Sequence, residues 1–199
     1  MKKIALTGNI ASGKTTVFEV FKKNNIKLLD CDEVCHFALE NEQDIISQIK
    51  DIFKDFDIET NGKLDRKKIG AIVFDNYEYK LKLEKVLHKY AKEKVDEFFK
   101  ENKNEKLCIV AVPQLFESNM HSMFDCIIMV SADDKIRLRR VQKRNNLSEK
   151  DAQKRIDAQM PQRAKEALVD YIIDNNSSIE ELNSNIQEWL EDYISVLSN

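Results

Sequence analysis

The stretch "GNIASGKTT" (residues 8–16) sets Gly8 and Gly13 five positions apart, with Lys14, Thr15 and Thr16 directly behind. The chain holds only 4 glycines, the others being Gly62 and Gly70, so the pair does not come from a glycine-rich composition. The string fits the phosphate-binding pattern G-x-x-x-x-G-K-[ST]. Glycine at both ends lets the backbone take turns closed to other residues and approach an anion closely. The N–H groups of Gly8, Asn9, Ala11, Ser12, Gly13, Lys14, Thr15 and Thr16 can then form a nest for phosphate oxygens. A helix opening at the second glycine adds its positive end. Lys14 can reach the β- and γ-phosphates, and the Thr15 hydroxyl can ligate Mg²⁺. The expected ligand is therefore a nucleoside triphosphate, with Mg²⁺ as cofactor.

What is done with the triphosphate depends on other residues. A base-reading Asn-Lys-x-Asp of a switch GTPase is lacking: "NKNE" (102–105) precedes an apolar run instead of following one, and ends in Glu. A motor ATPase would close a strand with a metal-binding Asp, whereas "LCIVAV" (107–112) runs directly into Pro113. "LLDCD" puts Asp30 and Asp32 behind an apolar run. In a parallel open sheet the carboxyl ends of the strands carry the ligand site, so these carboxylates suit a kinase. Asp32 is a candidate base for an alcohol acceptor, and Asp30 or Asp32 a candidate partner of Mg²⁺ through water. The alternative for Asp32 is a helix N-cap ahead of "EVCHFALE". Arg137, Arg140 and Arg144 in "RLRRVQKR" recur on one helix face. That face either closes over ATP and neutralises the transferring phosphoryl group, or is an ordinary solvated face.

The elements that must position these groups follow from periodicity. Short apolar runs at 3–7, 26–30, 107–112, 126–131 and 170–174 read as buried strands, with helical patterns between them. The alternation predicts an α/β fold with a mostly parallel five-stranded sheet covered on both faces. Residues 31–105 are far longer than a crossover helix and almost wholly helical in pattern, which suggests a helical insertion. Within it, Asn61-Gly62 marks a turn and 78–101 an amphipathic helix. Ser148 with Asp151, and Ser178 with Glu181, read as helix caps, and Pro161 as a helix stop.

Composition narrows the class. The 199 residues carry 34% charged side chains and a net charge of −3, which fits a soluble domain and argues against a general nucleic-acid binder. No apolar run reaches membrane-spanning length. The opening "MKKIALTG" is too short for a secretory leader, so a cytoplasmic address is expected. Four cysteines are few; Cys108 and Cys126 lie in apolar runs, and Cys31, Cys35 and His36 match no common zinc spacing.

Taken in order, "LTGNIASGKTTV", "DCD", "GKLDR", "VFDN", "LEKVLH", "VPQLFE", "RRVQKR", "RIDAQM" and "DYIIDN" resemble the motifs of dephospho-CoA kinases, across residues 4 to about 176. The resemblance implies a three-layer P-loop kinase fold. Its nucleotide core would be residues 1–30, 106–138 and 164–199, its helical acceptor-binding subdomain 31–105, and its helical lid 139–163. It implies transfer from ATP to the ribose 3′-hydroxyl of dephospho-CoA, giving CoA and ADP in the last step of coenzyme A synthesis. Under it Asp32 is the base; Lys14 and Arg140 assist transfer; Arg140, Arg144 and Asn175 join the ATP site; and Arg66 and His88 join Asp32 on the acceptor side. The partners are the two substrates, with no nucleic acid or membrane, in a monomer or weak homo-oligomer. Asn9, Ala11, Lys89, Ala111 and Gln114 depart from the family pattern: Gly is usual at 9 and 11, and an acid is frequent at 111. Readings left open are another nucleoside or nucleotide kinase and a regulatory nucleotide-binding module.

Overall fold

The computed structural model describes the backbone of residues 1–197 and the side chains of residues 1–193. The elements in order are β1 (Lys2–Thr7), α1 (Lys14–Lys23), β2 (Lys27–Asp30), α2 (Cys31–Asn41), α3 (Gln43–Ile52), β3 (Glu59–Thr60) and β4 (Lys63–Leu64). There follow α4 (Arg66–Asp75), α5 (Tyr77–Glu101), β5 (Leu107–Ala111), β6 (Cys126–Ser131), α6 (Asp134–Asn145), α7 (Glu149–Asp157), α8 (Gln162–Glu166), β7 (Tyr171–Asp174) and α9 (Ile179–Leu197). Two compact units result: Met1–Leu29 with Glu101–Asn199, and Asp30–Lys100.

The first unit is built on a five-stranded sheet of order β2-β5-β1-β6-β7, in which β1 pairs in parallel with β5 and β6, and β6 with β7. Central position explains the apolar run of β1: Ile4, Ala5 and Leu6 are wholly buried because both faces of the strand are covered. Val17 and Phe21 of α1 join this core with Leu182, Ile186 and Trp189 of α9, and the rings of Phe21 and Trp189 meet edge to face at 5.6 Å. The outer strands differ from expectation. Leu28 and Leu29 of β2 are only half-buried, and Tyr171 and Ile172 of β7 are exposed. Both strands are sheet edges, so a hydrophobic run there need not be enclosed.

In the second unit a separate apolar cluster joins Ala38 of α2, Ile45 and Ile49 of α3, Ile69 of α4 and Tyr90 of α5. Asn61 and Gly62 take left-handed conformations and turn β3 back onto β4. Asp65 caps α4 by accepting from the amides of Lys67 and Lys68. Ser148 caps α7 through the amide of Asp151, and the Ser178 hydroxyl accepts from the amide of Glu181. Pro161 does not stop α7. That helix ends at Asp157, and Pro161 instead stands before α8, where its fixed φ suits a helix start.

Candidate active site

β1 ends at Thr7, and the chain crosses to α1 through residues 8–13. Gly13 has φ 101°, in the left-handed region. No side chain caps α1, and its first turn has no acidic residue, so an anion meets its positive end unopposed. Inside the loop, the Ser12 amide bonds the Asn9 carbonyl at 3.1 Å, and the amides of Thr16 and Val17 bond the Gly13 carbonyl. The amides of Ala11, Gly13, Lys14 and Thr15 have no protein acceptor among the described residues. These orphan donors at the head of a helix are the elements of a phosphate nest.

The carbonyl side of the same loop is gripped. Asn175, following β7, donates its side-chain amide to the Ser12 carbonyl at 2.6 Å. Arg140 of α6 donates to the carbonyls of Ala11 and Ser12 at 3.4 Å and of Asn175 at 3.1 Å. With its carbonyls held by these donors, the loop keeps its unpaired amides for an anion. The closeness explains Gly13: a Cβ there would lie 1.9 Å from the Asn175 side-chain nitrogen. Gly8 is also confined, though less tightly, since a Cβ would meet the Ser12 hydroxyl at 2.6 Å and the Val130 carbonyl at 2.8 Å.

The arginine row of α6 is neither uniformly solvated nor uniformly turned to the loop. Arg137 is buried and paired with Asp134, Arg140 grips the loop, and Arg144 is exposed with its Nε donating to the Asn145 side chain. Sequence reasoning gave no role to Gln159 and Met160, although both lie in a quoted motif. The Ile10 amide donates to the Gln159 side-chain oxygen at 2.7 Å, and the Asn9 side chain donates to the Met160 carbonyl at 2.9 Å. Nor did it single out Glu117, which accepts from the Met160 amide and pairs with Lys165 at 2.8 Å. Lys165 is wholly buried on α8, a helix that sequence reasoning did not single out. Ala111 leaves the end of β5 without a carboxylate.

In the second unit, Asp30 is the N-cap of α2 and accepts from the Asp32 amide at 2.8 Å. The capping role considered for Asp32 therefore belongs to Asp30, because the helix begins at Cys31, two residues earlier than that alternative requires. Asp32 is exposed in the first turn. One turn on, His36 meets Arg66 of α4 at 2.6 Å between its Nε2 and a guanidinium nitrogen. Since guanidinium only donates, His36 accepts there and carries its proton on Nδ1. The Cys35 thiol contacts the Leu87 carbonyl of α5 at 3.9 Å, which brings α2 beside the residue preceding half-buried His88. Burial, reinforced by the charges of Asp32 and Asp30, pushes the Cys35 thiol up to about 11.

A family model described as dephospho-CoA kinase matches residues 2–181. The chain belongs to the dephospho-CoA kinase family. Curated dephospho-CoA kinases of Geobacillus kaustophilus and Bacillus cereus are 37% and 32% identical, covering 89% and 96% of this chain and 90% and 96% of their own. Among solved structures, a protein of Thermus thermophilus aligns with a TM-score of 0.82 at 28% identity, over 96% of this chain and 97% of its own. The dephospho-CoA kinase of Campylobacter jejuni aligns at 0.73 and 26%, over 96% of each chain. Shikimate kinase of Bacteroides thetaiotaomicron, at 17% identity and a TM-score of 0.52, shares the fold alone. The chain is thus a P-loop kinase that phosphorylates dephospho-CoA in the last step of coenzyme A synthesis. Kinases of this kind work with ATP and a divalent metal. No helix among the described residues is long and apolar enough to cross a membrane.

Proposed function

We propose that residues 8–16 hold the ATP phosphates while Asp32 takes the proton of the ribose 3′-hydroxyl of dephospho-CoA as it attacks the γ-phosphorus. The observation that carries the nucleotide half is the loop whose carbonyls are gripped by Arg140 and Asn175 while the amides of Ala11, Gly13, Lys14 and Thr15 lack protein acceptors. Backbone donors fixed in this way need no reorganisation as charge shifts from the γ-phosphoryl group to the leaving ADP. Lys14 adds a cation at the helix start, and Arg140 brings a second to the loop. Arg144 reaches ATP from the exposed end of α6, and Asn175 serves it by holding the loop.

Mg²⁺ is the divalent ion of this reading. The exposed Thr15 hydroxyl on the first turn of α1 is a hard oxygen donor, which suits an ion that keeps several waters and binds substrate phosphates. Asp30 or Asp32 joins through water. Bound there, the ion supplies neutralisation of the phosphate charge.

On the acceptor side, Arg66 and His88 of the helical subdomain 31–105 recognise dephospho-CoA, and 139–163 acts as the lid of the core. Arg66 retains guanidinium donors beyond its contact with His36, as an anionic diphosphate requires. The enzyme works in the cytoplasm as a monomer or weak homo-oligomer. The test incubates the protein with Mg²⁺-ATP and dephospho-CoA and follows CoA by mass, with adenosine, pantothenate and AMP alongside. Asp32→Asn should abolish turnover with ATP binding intact. Full turnover by this variant removes Asp32 as the base, and ATP hydrolysis without CoA removes the acceptor assignment.

A further inference from the structure

We propose that Gln159 is a positioning residue for ATP: its side-chain oxygen fixes the left-handed bend of the phosphate loop at Ala11, so nucleotide affinity depends on the turn that follows α7. Ala11 has φ 61°, a left-handed conformation that is unfavourable for an L-residue and costs glycine almost nothing. Something outside the residue must hold it there.

The holding groups surround it. On the N-terminal side, the Ile10 amide is taken by Gln159 at 2.7 Å, and the Asn9 side chain donates to the Met160 carbonyl at 2.9 Å. Both bonds are donated by the loop and accepted by the turn, and they join two adjacent pairs of residues, so sliding one pair past the other breaks both. Ile10 and Ala11 also pack on the apolar cluster of Val141, Ala152 and Ile156 between α6 and α7. On the C-terminal side, Arg140 and Asn175 hold the carbonyls of Ala11 and Ser12.

The turn carrying Gln159 is itself fixed. The Gln159 amide bonds the Ile156 carbonyl at 3.2 Å, closing α7. The Met160 amide donates to Glu117 at 3.4 Å, and the same carboxylate oxygen pairs with buried Lys165. Gln159 thus transmits a rigid support to the Asn9–Ile10 peptide, directly ahead of the bend, while the Ala11 amide stays without a protein acceptor among the described residues. With glycine at position 11 the bend would form unaided; with alanine it needs the anchor.

The inference rests on residues 8–16 being the ATP cradle. The test is a double-mutant cycle read by ATP titration and by separate KM values for both substrates. Gln159→Met keeps length and apolar packing but removes the acceptor. In the natural background it should weaken ATP binding about three- to tenfold, the range for one lost hydrogen bond to a backbone amide, with the KM for dephospho-CoA unchanged. In an Ala11→Gly background the same substitution should weaken ATP less than about twofold, because glycine no longer needs the support. Asn9→Ala removes the neighbouring fastening to Met160 and is the second variant, with the same ATP-selective expectation. Unchanged ATP affinity in Gln159→Met, an equal loss in both backgrounds, or a parallel rise of both KM values overturns the proposal. A wild-type protein that fails to bind ATP overturns the cradle itself.

Discussion

Alanine at position 13 would set a methyl carbon 1.9 Å from the Asn175 side-chain nitrogen and 3.2 Å from its Cγ. Asn175 is buried and bonded to the Ser12 carbonyl at 2.6 Å, so its withdrawal breaks that bond. The φ of 101° at Gly13 adds a backbone term. A left-handed L-residue costs about 1–2 kcal/mol, and a buried carbonyl losing its main donor about 1–3 kcal/mol. Gly13→Ala should therefore destabilise the protein by about 2–5 kcal/mol, a fall of about 5–15 °C in Tm for a chain of this size. The single tryptophan, Trp189, packs against Phe21 of α1, so its fluorescence in urea reports the unit that holds the loop. Asn175→Ala should cost about 1–3 kcal/mol alone, but much less in the Gly13→Ala background, where the bond is already lost. Unchanged stability of Gly13→Ala, or strict additivity of the two substitutions, would refute this account of why glycine stands at 13.

Further predictions concern charge and thiols. Glu117→Ala strands the buried Lys165 ammonium and should cost about 3–5 kcal/mol, whereas Lys165→Met, which leaves exposed Glu117 to solvent, should cost much less in the same urea titration. Cys35, Cys108 and Cys126 have thiols pushed to about 11, burial being the main cause in each, so they should alkylate slowly at pH 8.5. Asp32→Asn removes one of the charges that raise Cys35 and should speed its alkylation about two- to tenfold, read peptide by peptide by mass, with Cys108 and Cys126 unaffected. The Thr60 hydroxyl, then the Lys68 and Lys67 amides, hold the Asp65 carboxyl below its usual value. A depressed carboxylate stabilises the fold above its unfolded pKa and loses that contribution as pH falls through the folded value. The stability advantage of the wild type over Asp65→Asn should therefore be full near pH 7 and vanish as pH drops from about 5 towards 2, as followed by urea midpoints.

Much of this architecture is legible because period and burial coincide. The run around Ile4, Ala5 and Leu6 has no polar interruption, and that strand lies at the centre of the sheet. Asn61-Gly62, Ser148 and Ser178 carry local chemistry that fixes turns and caps whatever surrounds them. Edge position is different. Nothing in "IKLLD" or "DYIID" distinguishes an edge strand from a central one, because that depends on which strands pair, a property of the whole sheet. Pro161 reads as a stop because proline is excluded from a helix interior, but the same fixed φ serves a helix start.

The loop's support illustrates the sharper limit. Residues 8–16 announce a phosphate nest through their own types, but a nest is defined by amides that remain unpaired, and what keeps them so is remote in sequence. Arg140, Gln159 and Asn175 lie more than a hundred residues away and act on backbone atoms, so the identity of the loop residues they touch gives no sign of them. Ala11 does leave a trace. An alanine where the family favours glycine signals a backbone either freed from the left-handed bend or forced into it, and φ 61° decides for the second. A forced bend in turn requires restraints on both its flanks, which the Gln159 oxygen and the Arg140 guanidinium supply. The departure from pattern at position 11 and the glutamine at 159 are thus two ends of one physical arrangement, joined through the Ile10 amide.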